Sequence, residues 1–533
     1  GALHGSHRAF AALVSMNSAE KVDAVIVGSG AAGSLIAATL AKAGKKVVIL
    51  EAGPQRRMQD LVSSQIWSRR LKVPAGTTLT GGKDPLSVGF ASGWGTGGSA
   101  LHHYACWFRL HEEDFEMRTR FDVGVDWPMS YADLRPWYDR VQEEVGLSGD
   151  AEREVWRPAG APYPMPPLPT FAQGEIVARG FEKLGKRTAP LPMAINSVPY
   201  KGRPACIQDG WCDAGCPIGA LANPLATYLS ESLSAGAEIH HESTVARVLT
   251  TPDGERATGV EYFDGKGELR TVMADVVVLA AYVFEIPRIL LQSREGGLAN
   301  ASDMVGRSMM AHTTSNIFGF FEEDTDNFLG RTGGQLVAQD DYAKDPAKGF
   351  IGSSSWLIAN ALKPNDLLGI VNSRVDLFGP ALHDFFQKAA KKLATMTFVG
   401  ESLPVRDNRL TLTGEKDRYG LPRASVVHQY AEDSVKCWAA GIESGKQVFA
   451  AAGAREIWSG GRNQMHTMGG AVMGRNAGDS VTNSYGQTHQ VPNLFIAGSS
   501  LFPTTGGVNP TFTLCALASR SADYMVNNWS GLT

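Results

Sequence analysis

Apolar residues run from Val22 to Val27, with Lys21 and Asp23 the only charges beside them, and the run breaks at Gly28-Ser29-Gly30-Ala31-Ala32-Gly33. This pattern predicts a buried strand over 21–27, and the Ala- and Leu-rich spacing that follows predicts a helix through Ala43. A second apolar run, 46–50, predicts another strand and ends at Glu51. Further on, β-branched and alternating stretches predict strands at 244–249, 259–263 and 269–273, with Asp253-Gly254 and Asp264-Gly265 as turns. Val276-Val277-Val278 predicts a separate buried strand, 493–499 one more, and the spacing after Pro510 a long helix to Trp529. The stretch 22–41 is too polar and glycine-rich for a membrane span, and none is predicted elsewhere.

The order strand, glycine turn, helix, strand and acid gives the glycines meaning. Gly28 makes the turn, Gly30 admits a pyrophosphate, Gly33 packs helix on strand, and Glu51 can accept from the adenosine ribose hydroxyls. The fingerprint predicts a dinucleotide site without choosing between FAD and NAD. A second glycine-rich stretch, Gly95 to His103, lacks the Gly-Lys-Ser/Thr of a phosphate loop. Its Gly97 and Gly98 suit close backbone approach to a flat cofactor.

Length and charge narrow the class. A chain of 533 residues exceeds one ordinary core, so two domains built from interleaved segments are expected. With 43% apolar and 20% charged residues the chain is globular, and 50 basic against 54 acidic residues leave no footprint for nucleic acid. Residues 1–15 precede Met16 and read as a tag or dispensable extension.

Cysteine changes the picture more. Six are present, and Cys206, Cys212 and Cys216 crowd into one loop ending in Cys-Pro, as in ferredoxin-type runs. Three soft thiolates there suit an iron–sulfur cluster, with Gly210 and Gly215 letting the loop fold round it. The other readings are a structural zinc, which lacks a fourth Cys or His in the segment, and a chance group of buried thiols. Asp209 stands where it could reach a vacant cluster corner, although a loop Asp bonding its own backbone explains it as well. Cys106, Cys437 and Cys515 read as small core hydrophobes.

Together, the start fingerprint, the Gly97-Gly98 loop, Gly306 to His312, His466-Thr467-Met468-Gly469-Gly470 and Gly506-Gly507-Val508-Asn509-Pro510 resemble the glucose-methanol-choline (GMC) oxidoreductase family from about Ala19 onward. The resemblance implies an α/β chain: a Rossmann-like FAD-binding domain and a second, α+β substrate domain built on an antiparallel sheet. The FAD domain would span 19–304, with the iron–sulfur loop at 206–217, and be completed by 461–533 around a substrate domain at 305–460. It implies one FAD, contacted also by Gly97, Gly98, Val245 and Gly498. His466 would be the base that takes a hydroxyl proton and Asn509 its partner, while His312 reads as a supporting residue. Asn509-Pro510 also looks like a helix start, with Asn as N-cap. Some relatives attach FAD covalently through a histidine at about the place of His102.

The cysteine segment is similar to the cluster-bearing large subunits of bacterial sugar dehydrogenases. That narrower likeness implies a 3Fe–4S centre, a sugar, glycoside or polyol substrate, and a cytochrome c-type electron acceptor. It also implies a small companion subunit carrying an export signal, hence a periplasmic location rather than a cytoplasmic one. The competing readings are a flavin oxidase using oxygen directly and a non-catalytic flavin electron carrier.

Overall fold

The computed structural model describes residues 21–74 and 78–533. The extension at 1–15 and the expected domain start at 19 lie outside the described residues.

Strand β1 (Lys21–Val27) leads through the glycine turn into helix α1 (Ala31–Lys42) and strand β2 (Val47–Leu50). β1 pairs in parallel with β2 and with β3 (Leu269–Leu279), and Leu494–Ile496 lies parallel on the far end of β3. Strands buried on both faces read as continuous apolar runs, which is why Ala24 to Val27 and Val276 to Leu279 are all buried. The seven-stranded sheet is completed by Glu238–His240 beside β2 and by the hairpin Thr244–Thr250 and Ala257–Phe263 beside β3.

The sequence divides β3 into two strands; the structure makes it one of 11 residues. Its first half, to Met273, pairs antiparallel with Ala257–Phe263, and from Met273 onward it pairs with β1. No glycine or proline interrupts it, and Asp275, between the two apolar stretches, ion-pairs with Lys21 at 2.8 Å.

The second layer is an antiparallel sheet around β4 (Met310–Phe320), which pairs with Leu393–Gly400, Glu456–Ser459 and β5 (Asn463–Met468). Ser354–Ile358, Leu336–Ala338 and Ala189–Pro190 continue it. Its apolar face packs Ile317, Trp356 and Phe398 against Phe181 and Phe449 of the helices Ala172–Lys183 and Glu432–Ala452. This layer therefore draws residues from both sides of the 305–460 stretch. Conversely, Arg409–Lys416 and Pro422–Val427 join Thr78–Gly81 in a small sheet, and Leu410, Ala424 and Val426 pack on Val283 and Phe284 on the nucleotide side. Among the described residues no helix is long and apolar enough to cross a membrane.

Candidate active site

A cavity of about 690 Å³ runs between the two layers, from the glycine turn at Gly28 to His466 and Asn509. The three glycines do three different things. At φ +102° Gly28 is left-handed, and a Cβ there would lie 2.4 Å from the Ala280 carbonyl oxygen. A Cβ on Gly33 would lie 2.1 Å from the Gly28 oxygen, so helix and strand pack through it. Gly30 would meet no protein atom within 4 Å, because that space is the cavity. A bare backbone there and the start of α1 beyond it form an anion cradle.

Glu51 closes the cradle. Its carboxylate accepts from Ser29 N (3.1 Å) and Oγ (2.7 Å), from Gly53 N (2.9 Å) and from Gly95 N (3.2 Å). It thereby ties the second glycine-rich segment to the first, and Gly97 N donates to Ser29 Oγ at 3.1 Å. Gly98 packs on Gly30, and Gly98, Val245, Gly498 and His102 line the cavity. His102 is buried with its Nδ1 3.0 Å from Lys72 Nζ, while Nε2 has no partner. Burial, then the Lys72 charge, holds its pKa well below 6.5.

At the other end β5 presents His466. Met465 pairs with His312 and Met468 with Met310, so β5 spends three steps where β4 spends two. The extra residue is a bulge, and bulges re-aim side chains next to active sites. His466 sits in it at φ +59°, a left-handed conformation that costs a non-glycine residue free energy. Its ring then stands between two others: Nδ1 is 3.0 Å from Nδ1 of His312, and Nε2 is 3.2 Å from Asn509 Nδ2. His312, fully buried, reaches the Gly506 carbonyl oxygen through Nε2 at 2.8 Å.

This chain of bonds fixes the protons. The Gly506 oxygen only accepts, so His312 Nε2 carries its hydrogen and His312 Nδ1 a lone pair. His466 must donate from Nδ1, which leaves Nε2 unprotonated and facing the cavity. Burial holds both rings neutral: His312 is lowered to about 4, and His466 is held well below 6.5 by burial and then by His312. The sequence marks His312 only as a supporting residue; its direct bond to His466 depends on the β4–β5 pairing.

Asn509 departs from the expected N-cap. The helix Thr511–Asn527 is capped by Pro510 with no side-chain bond, so Asn509 lies one residue too early. Its amide is committed to His466 instead, and Oδ1 is buried without a partner. Pro510 and Thr511 line the cavity, so the positive end of this helix faces it.

The three clustered thiols lie on one loop in which Gly210 and Gly215 take positive φ, with Cys212 buried and Cys206 and Cys216 half-buried. Burial pushes Cys212 up to about 12, with Cys206 and Cys216 adding to the shift. The thiols thus sense one another, yet among the described residues no three His, Cys, Asp or Glu side chains gather as a metal-binding group. A second observation concerns charge: Arg331, fully buried, has Nε and Nη2 without partners. Burial lowers it to about 10, and the groups that raise it are Cys206, Cys212 and Cys106. A buried cation held by Gln208 against the thiol loop suits an anionic sulfur-ligated group. Asp209 accepts from Trp211 N at 3.2 Å, the local backbone bond expected of a loop Asp. Cys106 is not merely a core residue, since it also lines the cavity on the side of the thiol loop.

Comparison with known proteins fits this arrangement. Family models described as GMC oxidoreductase match residues 22–314 and 404–518. The chain is 30% identical to a 2-methyl-1,2-propanediol dehydrogenase of Mycolicibacterium austroafricanum, over 97% of each. It is 29% identical to the fructose dehydrogenase large subunit of Gluconobacter japonicus, over 96% of this chain and 99% of that one. Its fold is that of a formate oxidase from Aspergillus oryzae, with a TM-score of 0.69 at 15% identity over 97% of this chain and all of the other. Fold, cavity and matched residues agree: the chain belongs to the GMC oxidoreductase family.

Proposed function

We propose that this protein is an FAD-dependent dehydrogenase that oxidises an alcohol group of a sugar, glycoside or polyol. The observation that carries the reading is the unprotonated Nε2 of His466, held by His312 and Asn509 at one end of a cavity whose other end is the dinucleotide cradle. The dehydrogenase names of relatives along the whole chain, one a diol and one a fructose enzyme, support the substrate class.

The cradle at Gly28, Gly30 and Gly33 suits the pyrophosphate of FAD, and Gly98, Val245 and Gly498 leave room for the rest of the cofactor. When bound, FAD supplies a two-electron acceptor for the hydride leaving the carbinol carbon. The residues supply the proton chemistry. His466 Nε2 takes the hydroxyl proton, and the imidazolium formed keeps its Nδ1–H bond to the neutral His312. The second N–H of Asn509 is available to the substrate oxygen.

Cys206, Cys212 and Cys216 would hold a 3Fe–4S cluster, whose chemistry is one-electron transfer, with a cytochrome c-type protein as acceptor. The large-subunit and flavoprotein names of two relatives support a multi-subunit assembly; a small companion subunit, and export to the periplasm with it, belong to the same reading. An oxidase without a cluster is the second reading, supported by the oxidase names of two relatives, 28% and 27% identical over 94% of this chain. An anaerobic absorbance titration with sugars and polyols, beside iron and acid-labile sulfide analysis, separates the two. Flavin bleaching with bound iron is expected; bleaching without iron, and peroxide formed in air, would establish the oxidase. Iron without bleaching by any alcohol would leave a flavin electron carrier.

A further inference from the structure

Arg331 is a charge that the fold buries without an anion. Its side chain is fully inaccessible, Nη1 donates to the Pro169 carbonyl (2.8 Å) and to Gln208 Oε1 (2.9 Å), and Nε and Nη2 donate to nothing. Both acceptors are neutral. No carboxylate pairs with it, and its bond to Gln208 sets it against the loop that carries Cys206 and Cys212. A buried guanidinium with unused donors costs several kcal/mol unless something negative meets it.

The neighbours of Arg331 are built into the thiol loop. Gly330 N donates to the Gln208 carbonyl (3.1 Å) and Thr332 Oγ1 to the Gly210 carbonyl (2.8 Å). Arg331 is therefore held from both sides against the segment between Cys206 and Cys212. Three other buried cations have carboxylate partners: Lys344 pairs with Asp114 and Glu401, Arg109 with Asp139, and Arg288 with Asp417. Arg203, also buried, spends its guanidinium on the Gly219 and Val145 carbonyls, whereas Arg331 keeps Nε and Nη2 without an acceptor.

We propose that Arg331 is the charge partner of the sulfur-ligated iron cluster on Cys206, Cys212 and Cys216, donating hydrogen bonds through Nε and Nη2 and raising the reduction potential of that cluster. The proposal rests on the cluster of the proposed function. Adding one electron to a cluster adds one negative charge, and a fixed cation held against the same loop in a low-dielectric site favours the charged product. Cys106 stays a neutral thiol, since burial raises its pKa and its Sγ lies 3.7 Å from the carbonyl oxygens of Tyr104 and Gly333.

The test uses the full chain, purified without oxygen, as wild type, Arg331→Met, Arg331→Gln and Arg331→Lys. The readouts are iron and sulfide per chain, the low-temperature electron paramagnetic resonance signal, and a potentiometric titration of that signal. Loss of iron, or a midpoint shifted to lower potential, is expected in the Met and Gln proteins, with the shift reversed in part by Lys. Folding is followed by circular dichroism; if the Met protein does not fold, the Gln protein carries the comparison. Wild-type iron content and midpoint in a folded neutral variant would overturn the role of Arg331 and leave the cluster standing. A wild type without iron or sulfide would overturn the cluster itself, and this inference with it.

Discussion

The Nδ1 atoms of His312 and His466 lie 3.0 Å apart, and only one of them can carry the hydrogen between them. Because neutral His312 gives its one N–H hydrogen to the Gly506 carbonyl, the hydrogen between the rings belongs to His466, and the His466 lone pair is placed at Nε2, toward the cavity and Asn509 Nδ2. His466→Ala should lower kcat/KM by roughly 10²–10⁴-fold, the usual worth of a general base. His312→Gln can donate to Gly506 and accept from His466, so it should retain far more activity than His312→Leu. Steady-state kinetics of the three variants, with flavin content checked, measures this; equal loss in Gln and Leu would refute the tautomer argument.

The same geometry sets a pH profile. His466 is held well below 6.5 by burial and then by His312, so kcat/KM should be flat at neutral pH and fall only on the acid side, below 6.5.

Stability should fall in the same direction. His103, His111 and His312 are each lowered by burial to about 4. Between about 6.5 and 4 the unfolded chain binds protons that the folded chain refuses, so stability declines as pH drops through that window. Glu154, raised by burial to about 7, acts in the opposite sense as a single group. Melting temperatures of the holoprotein at several pH values between 7 and 4 follow the sum.

Gly30 and Gly28 should fail differently. Gly30→Val adds a side chain at φ −70° into open cavity, so the protein should fold but retain little flavin. Gly28→Val puts a Cβ against the Ala280 carbonyl at positive φ and should lose the fold itself. Circular dichroism beside the flavin absorbance ratio distinguishes the two.

His102 bears on how the cofactor is held. Lys72 Nζ engages the Nδ1 lone pair at 3.0 Å, which removes the nucleophilic nitrogen from attack on a cofactor. Flavin should appear in the supernatant after acid precipitation; flavin remaining with the protein pellet would show a covalent bond.

Lys344 supports the site from beneath. It pairs with Asp114 and Glu401 out of contact with water, and Asp114 accepts from Tyr342, whose oxygen accepts from Gly507 N at 3.1 Å. Lys344→Met strands two buried carboxylates under the Gly506–Gly507 turn and should destabilise the protein by roughly 3–5 kcal/mol. Denaturant titration against wild type gives the value.

The sequence by itself determined the nucleotide half of this protein. Gly28, Gly30 and Gly33 lie within one strand–helix–strand unit, where adjacency in the chain is adjacency in space, and Glu51 at its end accepts from Ser29, Gly53 and Gly95. The hairpin 244–263 was legible for the same reason, since alternation and Asp-Gly turns are local signals. The unbroken course of β3 was not, because its two halves pair with different strands, Ala257–Phe263 and then β1, and only those partners make them one.

The catalytic end was decided only by the tertiary structure. His312 and His466 are separated by 154 residues, and their contact exists because a bulge in β5 shifts the register against β4. A bulge leaves no mark in a short polar strand such as Asn463 to Met468. Asn509 reads in the sequence as an N-cap, but the structure puts Pro510 at that position and turns the Asn509 amide to His466. Likewise the three cysteines were visible as a cluster from their spacing alone, whereas Arg331, more than a hundred residues away, meets them only because the segment 330–332 hydrogen-bonds along their loop. Short-range chemistry was written in the order of residues; the long-range pairings came from burial and strand register, which no local pattern encodes.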